Sequence, residues 1–389
     1  MRMNIRPRTQ HHGGERSRGA GWLGIGLMCV FGGAQAATDR VFDSELYRLR
    51  VKTVAEGLEH PWAVAFLPGG HMLVTERPGR MRIIDPASKV SPPLKGVPQV
   101  AAVGQGGLLD VVLAPDFSQS RRIYFSFSEP RDGGNGTSVA SAVLGDNELT
   151  DLKVIFRQVP AVDSPGHFGS RLVFARDGSL FVTLGERQLK HFTIRAQDLE
   201  THFGKIVHIK PDGTAASDNP FLTVPGAKPE IWSYGHRNVQ GAALHPDTGE
   251  LWTTEHGPKG GDELNRSKAG ANYGWPLVTY GISYNGDKLG IGEQRVGIEP
   301  PVHYWVPSIG TSGLTFYTGN RFPKWDRQLF AGGLYGMVVR LELRDNRVVH
   351  EERLEFNQRV RDVREGPDGL LYVLTDSAQG ELLSVSPSD

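Results

Sequence analysis

The chain has 389 residues, with 43 Lys and Arg balancing 43 Asp and Glu. That balance argues against a nucleic-acid binder, which carries a basic excess or a basic stripe. With 49 Gly and 25 Pro, the composition suits many short strands joined by turns better than long helices.

Residues 1–36 read as an export signal. Arg2, Arg6, Arg8, Arg16 and Arg18 make a basic start, an apolar run follows over 22–31, and Ala34-Gln35-Ala36 is a small-residue cleavage site. The run is short and Gly-bearing for a bilayer span, and the basic region has no adjacent Arg pair. Sec-type cleavage after Ala36 and release into the periplasm are expected, with an uncleaved membrane anchor as the alternative. Cleavage removes five Arg and one Glu, leaving a formal charge of −4, together with Cys29, the only cysteine. The mature chain then has no disulfide, thiol catalysis or thiolate metal site. No linker rich in Pro, Ser or charge divides residues 37–389, which read as one domain.

Six times the chain repeats one phrase: an apolar run, a Pro/Asp/Gly turn, then a β-rich run. The copies lie at 64–75, 111–116 leading to 123–127, 172–183, 242–253, 314–317 leading to 328–331, and 362–373. Each reads as strand, turn, strand, because turn residues adopt backbone angles that β-branched residues avoid. The starts are 47, 61, 70, 72 and 48 residues apart. A supersecondary unit repeated on that scale signals a propeller or solenoid. Short strands favour the propeller, whose radial repetition leaves only protected sheet edges. The expectation is an all-β, six-bladed β-propeller; paired β-sandwiches compete less well with six similar hairpins. A four-stranded blade needs roughly 40–50 residues. The wider spacings therefore hold long inter-strand loops, at about 185–235 and 255–310, where most of the unusual polar residues lie.

Candidate chemistry follows in chain order. Gln105 stands in Gly104-Gln-Gly-Gly-Leu-Leu109, where the glycines allow a tight turn or a close backbone approach to a ligand. His167, just before a repeat strand, is either a packed polar residue or an imidazole at an axial pocket that takes a proton from an alcohol. Arg237 and Asn238 offer donors suited to a carboxylate or quinone oxygen, and equally to the backbone carbonyls of their own loop. Glu255, Asp262 and Glu263 crowd a Gly-rich loop followed by Asn272-Tyr-Gly-Trp-Pro276. Such a loop binds a hard cation through carboxylates and carbonyls, or is simply solvated; its spacing is not that of an EF-hand. Arg359 and Arg361 share one strand face, suiting a polyanion or ordinary surface charge.

Taken in order, these segments resemble the soluble aldose and glucose dehydrogenases that use pyrroloquinoline quinone (PQQ). The resemblance runs from about Gly57 to Pro387. It rests on Gly57-Leu-Glu-His-Pro-Trp62, Gly104-Gln-Gly-Gly-Leu-Leu109, His167-Phe-Gly-Ser-Arg171, Ala196-Gln-Asp-Leu199 with Gly204-Lys-Ile206, Tyr234-Gly-His-Arg-Asn238, Gly261-Asp-Glu-Leu-Asn265, Asn272-Tyr-Gly-Trp-Pro276 and Arg359-Val-Arg-Asp362. The resemblance implies that His167 is the general base. It implies that Arg237, Asn238, Gln105 and Tyr284 lie at the cofactor, with Arg359 and Arg361 on its carboxylates. Glu263 and Tyr273 match ligands of a structural calcium, and Gly257 and Pro258 match carbonyls that help hold calcium on PQQ. The implied reaction is hydride transfer from C1 of an aldose to the quinone, giving a lactone, with electrons passed to an external acceptor. No nucleic acid partner and no membrane span after signal cleavage are expected, and the chain is a monomer or homodimer.

Two departures stand out. The family often places a PQQ-contacting Lys in the segment that here reads Gly333-Leu334-Tyr335-Gly336, so Tyr335 replaces a cation. One charge-assisted contact is lost, about 1.5–3 kcal/mol. Gly166 stands where the glucose enzymes have an acidic residue before the base. Two other readings remain. A metal-dependent lactonase on the same fold needs several carboxylates converging on an axial metal. A binding propeller without catalysis needs only that the cofactor has been lost.

Overall fold

The computed structural model describes residues 39–388; the expected export signal, Cys29 and the cleavage site after Ala36 lie outside them. Two strands, β1 (Asp39–Asp43) and β2 (Arg48–Leu58), open the described chain. The first blade is β3 (Pro61–Phe66), β4 (Met72–Glu76) and β5 (Arg80–Ile84). The second is β6 (Leu108–Leu113), β7 (Arg122–Arg131), β8 (Gly134–Leu144) and β9 (Leu149–Arg157). The third is β10 (Leu172–Phe174), β11 (Leu180–Thr183), β12 (Lys205–Ile209) and β13 (Ile231–Tyr234). The fourth is β14 (Val239–Leu244), β15 (Leu251–Glu255), β16 (Asp262–Ser267) and β17 (His303–Trp305). The fifth is β18 (Thr311–Phe316), β19 (Leu329–Gly333), β20 (Met337–Arg344) and β21 (Arg347–Glu355). The sixth is β22 (Val360–Glu365), β23 (Leu371–Thr375) and β24 (Gly380–Pro387), completed by β2 and β1 from the start of the chain.

All pairings within blades are antiparallel, and the first strand of each blade packs on the first strand of the next, β22 returning to β3. The ring of six sheets expected from the repeat is therefore the architecture. Closure is by β2 on β24, with Val51 opposite Val385.

Burial explains the pattern of the repeat. Every residue of β4, β11 and β15 is buried, because the second strand of a blade is covered on both faces by neighbouring blades. Such strands read as continuous apolar runs. The outermost strands β9 and β21 are largely exposed and carry little of the signal. Buried apolar clusters fill the interfaces between adjacent blades, as with Leu73, Phe125 and Phe127 between the first and second and Phe322, Trp325 and Phe330 beside the sixth. The two windows expected as long loops each also contain two outer strands, β12 with β13 and β16 with β17.

Charged side chains cross the axis beneath the strand ends. Arg171 Nη1 lies 3.2 Å from Asp110 and 3.1 Å from Asp362. Arg364 lies 2.6 Å from Asp110 and 2.9 Å from Asp362. Asp110 belongs to the second blade and Arg364 to the sixth, which are not neighbours in the ring, so these contacts span its centre. Burial opposes the Arg364 charge, but Asp362 and Asp110 hold its guanidinium above the ordinary value.

Candidate active site

A cavity of about 330 Å³ opens on the axis, and all six blades line it. Trp62 and Arg77 come from the first blade, Gln105 and Leu109 from the second, Phe168 and Gly169 from the third. Gln240 and His256 come from the fourth, Leu334 from the fifth, and Arg359, Arg361 and Asp376 from the sixth. These positions precede the first strand of a blade, lie in it, or follow the second. Antiparallel pairing brings those ends to the same face of the ring.

The expected residues divide by depth. Gln105, Leu334, Arg359 and Arg361 line the cavity directly. His167, Arg237 and Asn238 are buried just behind its wall. The His167 backbone N–H donates to Gln105 Oε1 at 2.8 Å, and Asn238 Oδ1 accepts from the Gly169 N–H at 3.1 Å. Gly333 ends β19 and is buried. Tyr335 and Tyr284, at 66% and 70% exposure, reach out to solvent.

His167 is 3% exposed, and its Nδ1 lies 2.5 Å from Glu186 Oε1. That contact leaves Nε2 as the unengaged ring nitrogen. Burial, aided by the nearby charge of Arg237, keeps the imidazole well below its ordinary pKa, so it is neutral at pH 7. Burial pushes the Glu186 carboxyl up to about 7. The backbone here is strained: His167 and Ser170 have φ of 48° and 92°, and Arg187 and Gln188, facing them, 71° and 60°. Left-handed non-glycine residues cost energy and gather where function fixes geometry. Arg187 holds this segment. Its guanidinium donates to Gly166 O at 2.6 Å and Ser164 O at 2.9 Å and sits 3.6 Å from the Phe168 ring centroid.

The Arg237 turn is tied to a second, narrower void. Glu255 accepts the Arg237 N–H at 2.7 Å and lies 2.9 Å from His236 Nδ1. Arg237 Nη1 donates to Gly257 O at 2.6 Å and to His256 O at 3.2 Å, with its guanidinium 5.1 Å from the Trp275 ring. Arg237, Gly257, Glu263 and Tyr273 line the void, which shares His256 with the main cavity. The Glu263 carboxyl accepts from Asn265 Nδ2 at 3.1 Å and is pushed up to about 8 by burial and by Glu255 beside it. A carboxylate disfavoured in this way by its surroundings suits a hard cation. Gly257 O already accepts Arg237 and keeps one lone pair. The Tyr273 hydroxyl is spent on Arg266 O and the Lys268 N–H. Pro258 is buried beside Gly257.

The polar groups without partners point to an acceptor-rich ligand. Arg237 Nε and Asn238 Nδ2 are buried donors with no hydrogen-bond partner among the described residues, and a quinone or carboxylate oxygen would satisfy them. The axial carboxylates do not fit the metal-dependent lactonase, since Asp110 and Asp362 are neutralised by Arg171 and Arg364.

The sequence reading missed Glu186, Arg187, Arg77 and Asp376. Glu186 and Arg187 follow the buried strand Leu180–Thr183 after two intervening residues. Charges soon after a strand covered on both faces were the available signal.

The sequence profile of the glucose/sorbosone dehydrogenase family matches residues 58–384. The chain is 49% identical over 372 residues to the aldose sugar dehydrogenase YliI of Escherichia coli K12, covering 93% of this chain and 97% of that one. It is similar to the crystal structure of the soluble aldose sugar dehydrogenase from Escherichia coli in its apo form, with a TM-score of 0.84 at 48% identity over 87% of this chain and 100% of that one. Its similarity to the PQQ-bound aldose sugar dehydrogenase from Streptomyces coelicolor has a TM-score of 0.71 at 28% identity, over 90% and 98% of the two chains.

Proposed function

The chain belongs to the glucose/sorbosone dehydrogenase family, and from that premise we propose that it oxidises aldose sugars at C1 to lactones with PQQ, passing electrons to an external acceptor. One observation carries the reading: a buried imidazole backed by a carboxylate lies behind one wall of an axial cavity whose opposite wall is cationic. The PQQ-bound relative supports the choice of cofactor.

PQQ supplies a quinone that accepts two electrons as a hydride. Arg359 and Arg361 would hold its carboxylates, with Gln105 and Leu334 bordering it. The unpartnered Arg237 Nε and Asn238 Nδ2 would donate to quinone oxygens. His167 Nε2 takes the proton of the sugar C1 hydroxyl, and Glu186 fixes the ring and stabilises the imidazolium. The narrow strained loop 166–170 keeps the base at one depth. Glu263, with Gly257, Pro258 and Tyr273 around it, would hold calcium, whose charge would offset buried carboxylate. The reading needs no contact from Tyr284. Export by the Sec route with cleavage after Ala36 places the enzyme in the periplasm, and among the described residues no helix is long and apolar enough to cross a membrane.

The test is reconstitution of purified protein with PQQ and calcium, followed by a panel of mono- and disaccharides with an artificial acceptor dye. Aldose-dependent dye reduction is expected. Failure with every aldose would leave a binding propeller, and metal-dependent lactone hydrolysis without quinone would indicate the lactonase. Amino-terminal sequencing of the periplasmic protein should begin at Ala37.

A further inference from the structure

Among the residues lining the axial cavity, three guanidiniums, Arg77, Arg359 and Arg361, face one carboxylate, Asp376. Arg359 and Arg361 both donate to Asp376 Oδ2, at 3.1 and 2.7 Å, and His60 Nδ1 lies 3.3 Å from Oδ1. Asp376 is thus committed to the pair from the sixth blade. The carboxylate next to Arg77 in sequence, Glu76, is taken by Arg80 and Arg82 at 2.8 and 3.5 Å. Among the described residues, no carboxylate pairs with Arg77.

Its position is nevertheless built. The Arg77 N–H donates to His60 O and its carbonyl accepts the Leu108 N–H, each at 3.0 Å. Nη1 donates to Gly104 O at 2.5 Å. A side chain at Gly107, whose φ is +141°, would run into the Arg77 carbonyl and Cγ. The guanidinium is pinned by one nitrogen to the loop carrying Gln105, which bonds the His167 N–H. Burial holds it below its ordinary pKa and the like charges of Arg361 and Arg359 add to this, with only Asp376 opposing. A half-buried cation held in place beside two others, with no carboxylate paired to it, is costly until an anion arrives.

We propose that Arg77 is a further cofactor-binding residue of this cavity, engaging a carboxylate of the bound quinone and supplying from the first blade the cation that Tyr335 does not supply from the fifth. The proposal rests on the quinone reading above. PQQ is a tricarboxylate, so a clamp of two arginines already paired with Asp376 leaves anionic oxygen for a third.

The experiment titrates PQQ into the apo full-length chain and follows quenching of tryptophan fluorescence, since Trp62 lines the cavity. Arg77→Gln should weaken PQQ binding about ten- to a hundredfold and lessen its salt dependence, with Arg77→Lys intermediate. Adding Tyr335→Lys to Arg77→Gln should regain part of the loss. A cation introduced on another blade would not repair a purely structural defect, so this arm separates binding from folding. An unchanged Kd in folded Arg77→Gln overturns the assignment and leaves the quinone reading standing. Failure of the unaltered chain to bind PQQ overturns both.

Discussion

On the axis, Arg171 and Arg364 face Asp110 and Asp362, and each guanidinium reaches both carboxylates. At the cavity, Arg77, Arg359 and Arg361 face Asp376 alone. Residue types are the same and blades overlap, but the balance of charge differs, and Arg359 is half-exposed where Arg171 is buried. A compensated set asks for nothing further, and its contribution is to fix how the inner strands meet. An uncompensated set waits for a counter-charge, which ties it to a ligand. Near the cavity, Arg237 Nε and Asn238 Nδ2 are buried donors without partners; the axial set has its own unpartnered donor, Arg171 Nη2, so charge and not hydrogen bonding separates the two.

If that division is right, substitutions on the two sides should fail differently. The largest effect is expected on the open side. His167→Ala should lower kcat by roughly 10²–10⁴-fold, with PQQ affinity unchanged by fluorescence titration. Turnover like that of the unaltered chain would remove His167 as proton acceptor. Because burial keeps this imidazole below its ordinary pKa, the acid limb of kcat/KM should lie below pH 6.5. The base is lost only as pH falls through the lowered value. A limb near pH 7 that disappears in Glu186→Gln belongs to Glu186, whose carboxyl is pushed up to about 7, and a limb above pH 6.5 that persists in that variant would contradict the assignment. Glu186→Gln, which removes the orienting carboxylate, should cost kcat up to about 10⁴-fold, the figure for the corresponding change in a Ser-His-Asp triad.

On the closed side, Arg171→Met leaves two buried carboxylates sharing Arg364. Breaking a buried pair from one end costs about 3–5 kcal/mol, which urea unfolding of the apo protein would report. Arg359→Gln sharpens the contrast, because its side chain is half-exposed and Arg361 and His60 still attend Asp376. It should cost little stability and weaken PQQ about ten- to a hundredfold. A large stability loss there, or none for Arg171→Met, would erase the distinction between the two clusters.

The ring of blades was legible because each repeat marks the first two strands of a blade, the ones buried on both faces. Val64 to Thr75 falls on β3 and β4, and Leu172 to Thr183 on β10 and β11. Closure was not legible. Val51 pairs with Val385, and nothing local in either segment specifies a partner at the other end of the chain. At the site, Gln105, Arg359 and Arg361 could be singled out by glycines and strand alternation, and the structure sets them around one cavity with His167 behind. Glu186 and Arg77 were harder to read. Each stands beside another charge after a repeat strand, and its meaning lies in a contact between loops: Glu186 with His167 at 2.5 Å within the third blade, Arg77 with Gly104 at 2.5 Å between the first and second. Tyr284 shows the converse, a residue whose expected role came with the family and whose side chain here is turned to solvent.

The smallest expected effect concerns Tyr335. From sequence, restoring the family's cation promises about 1.5–3 kcal/mol, the value of a hydrogen bond to a charged group. The side chain, however, is 66% exposed, and exposed ion pairs yield only about 0.2–1 kcal/mol and weaken with salt. Tyr335→Lys in the otherwise unaltered chain should therefore tighten PQQ only a few-fold at low ionic strength, and less at high. Arg77 is pinned to Gly104 and half-buried, so its removal should matter more than a lysine at 335 gains. Titrations of both variants at two salt concentrations compare them directly. If Tyr335→Lys tightened binding more than Arg77→Gln weakened it, the bound quinone would have to cover position 335 fully. The counter-charge missing from the cavity would then be met from the fifth blade instead of the first.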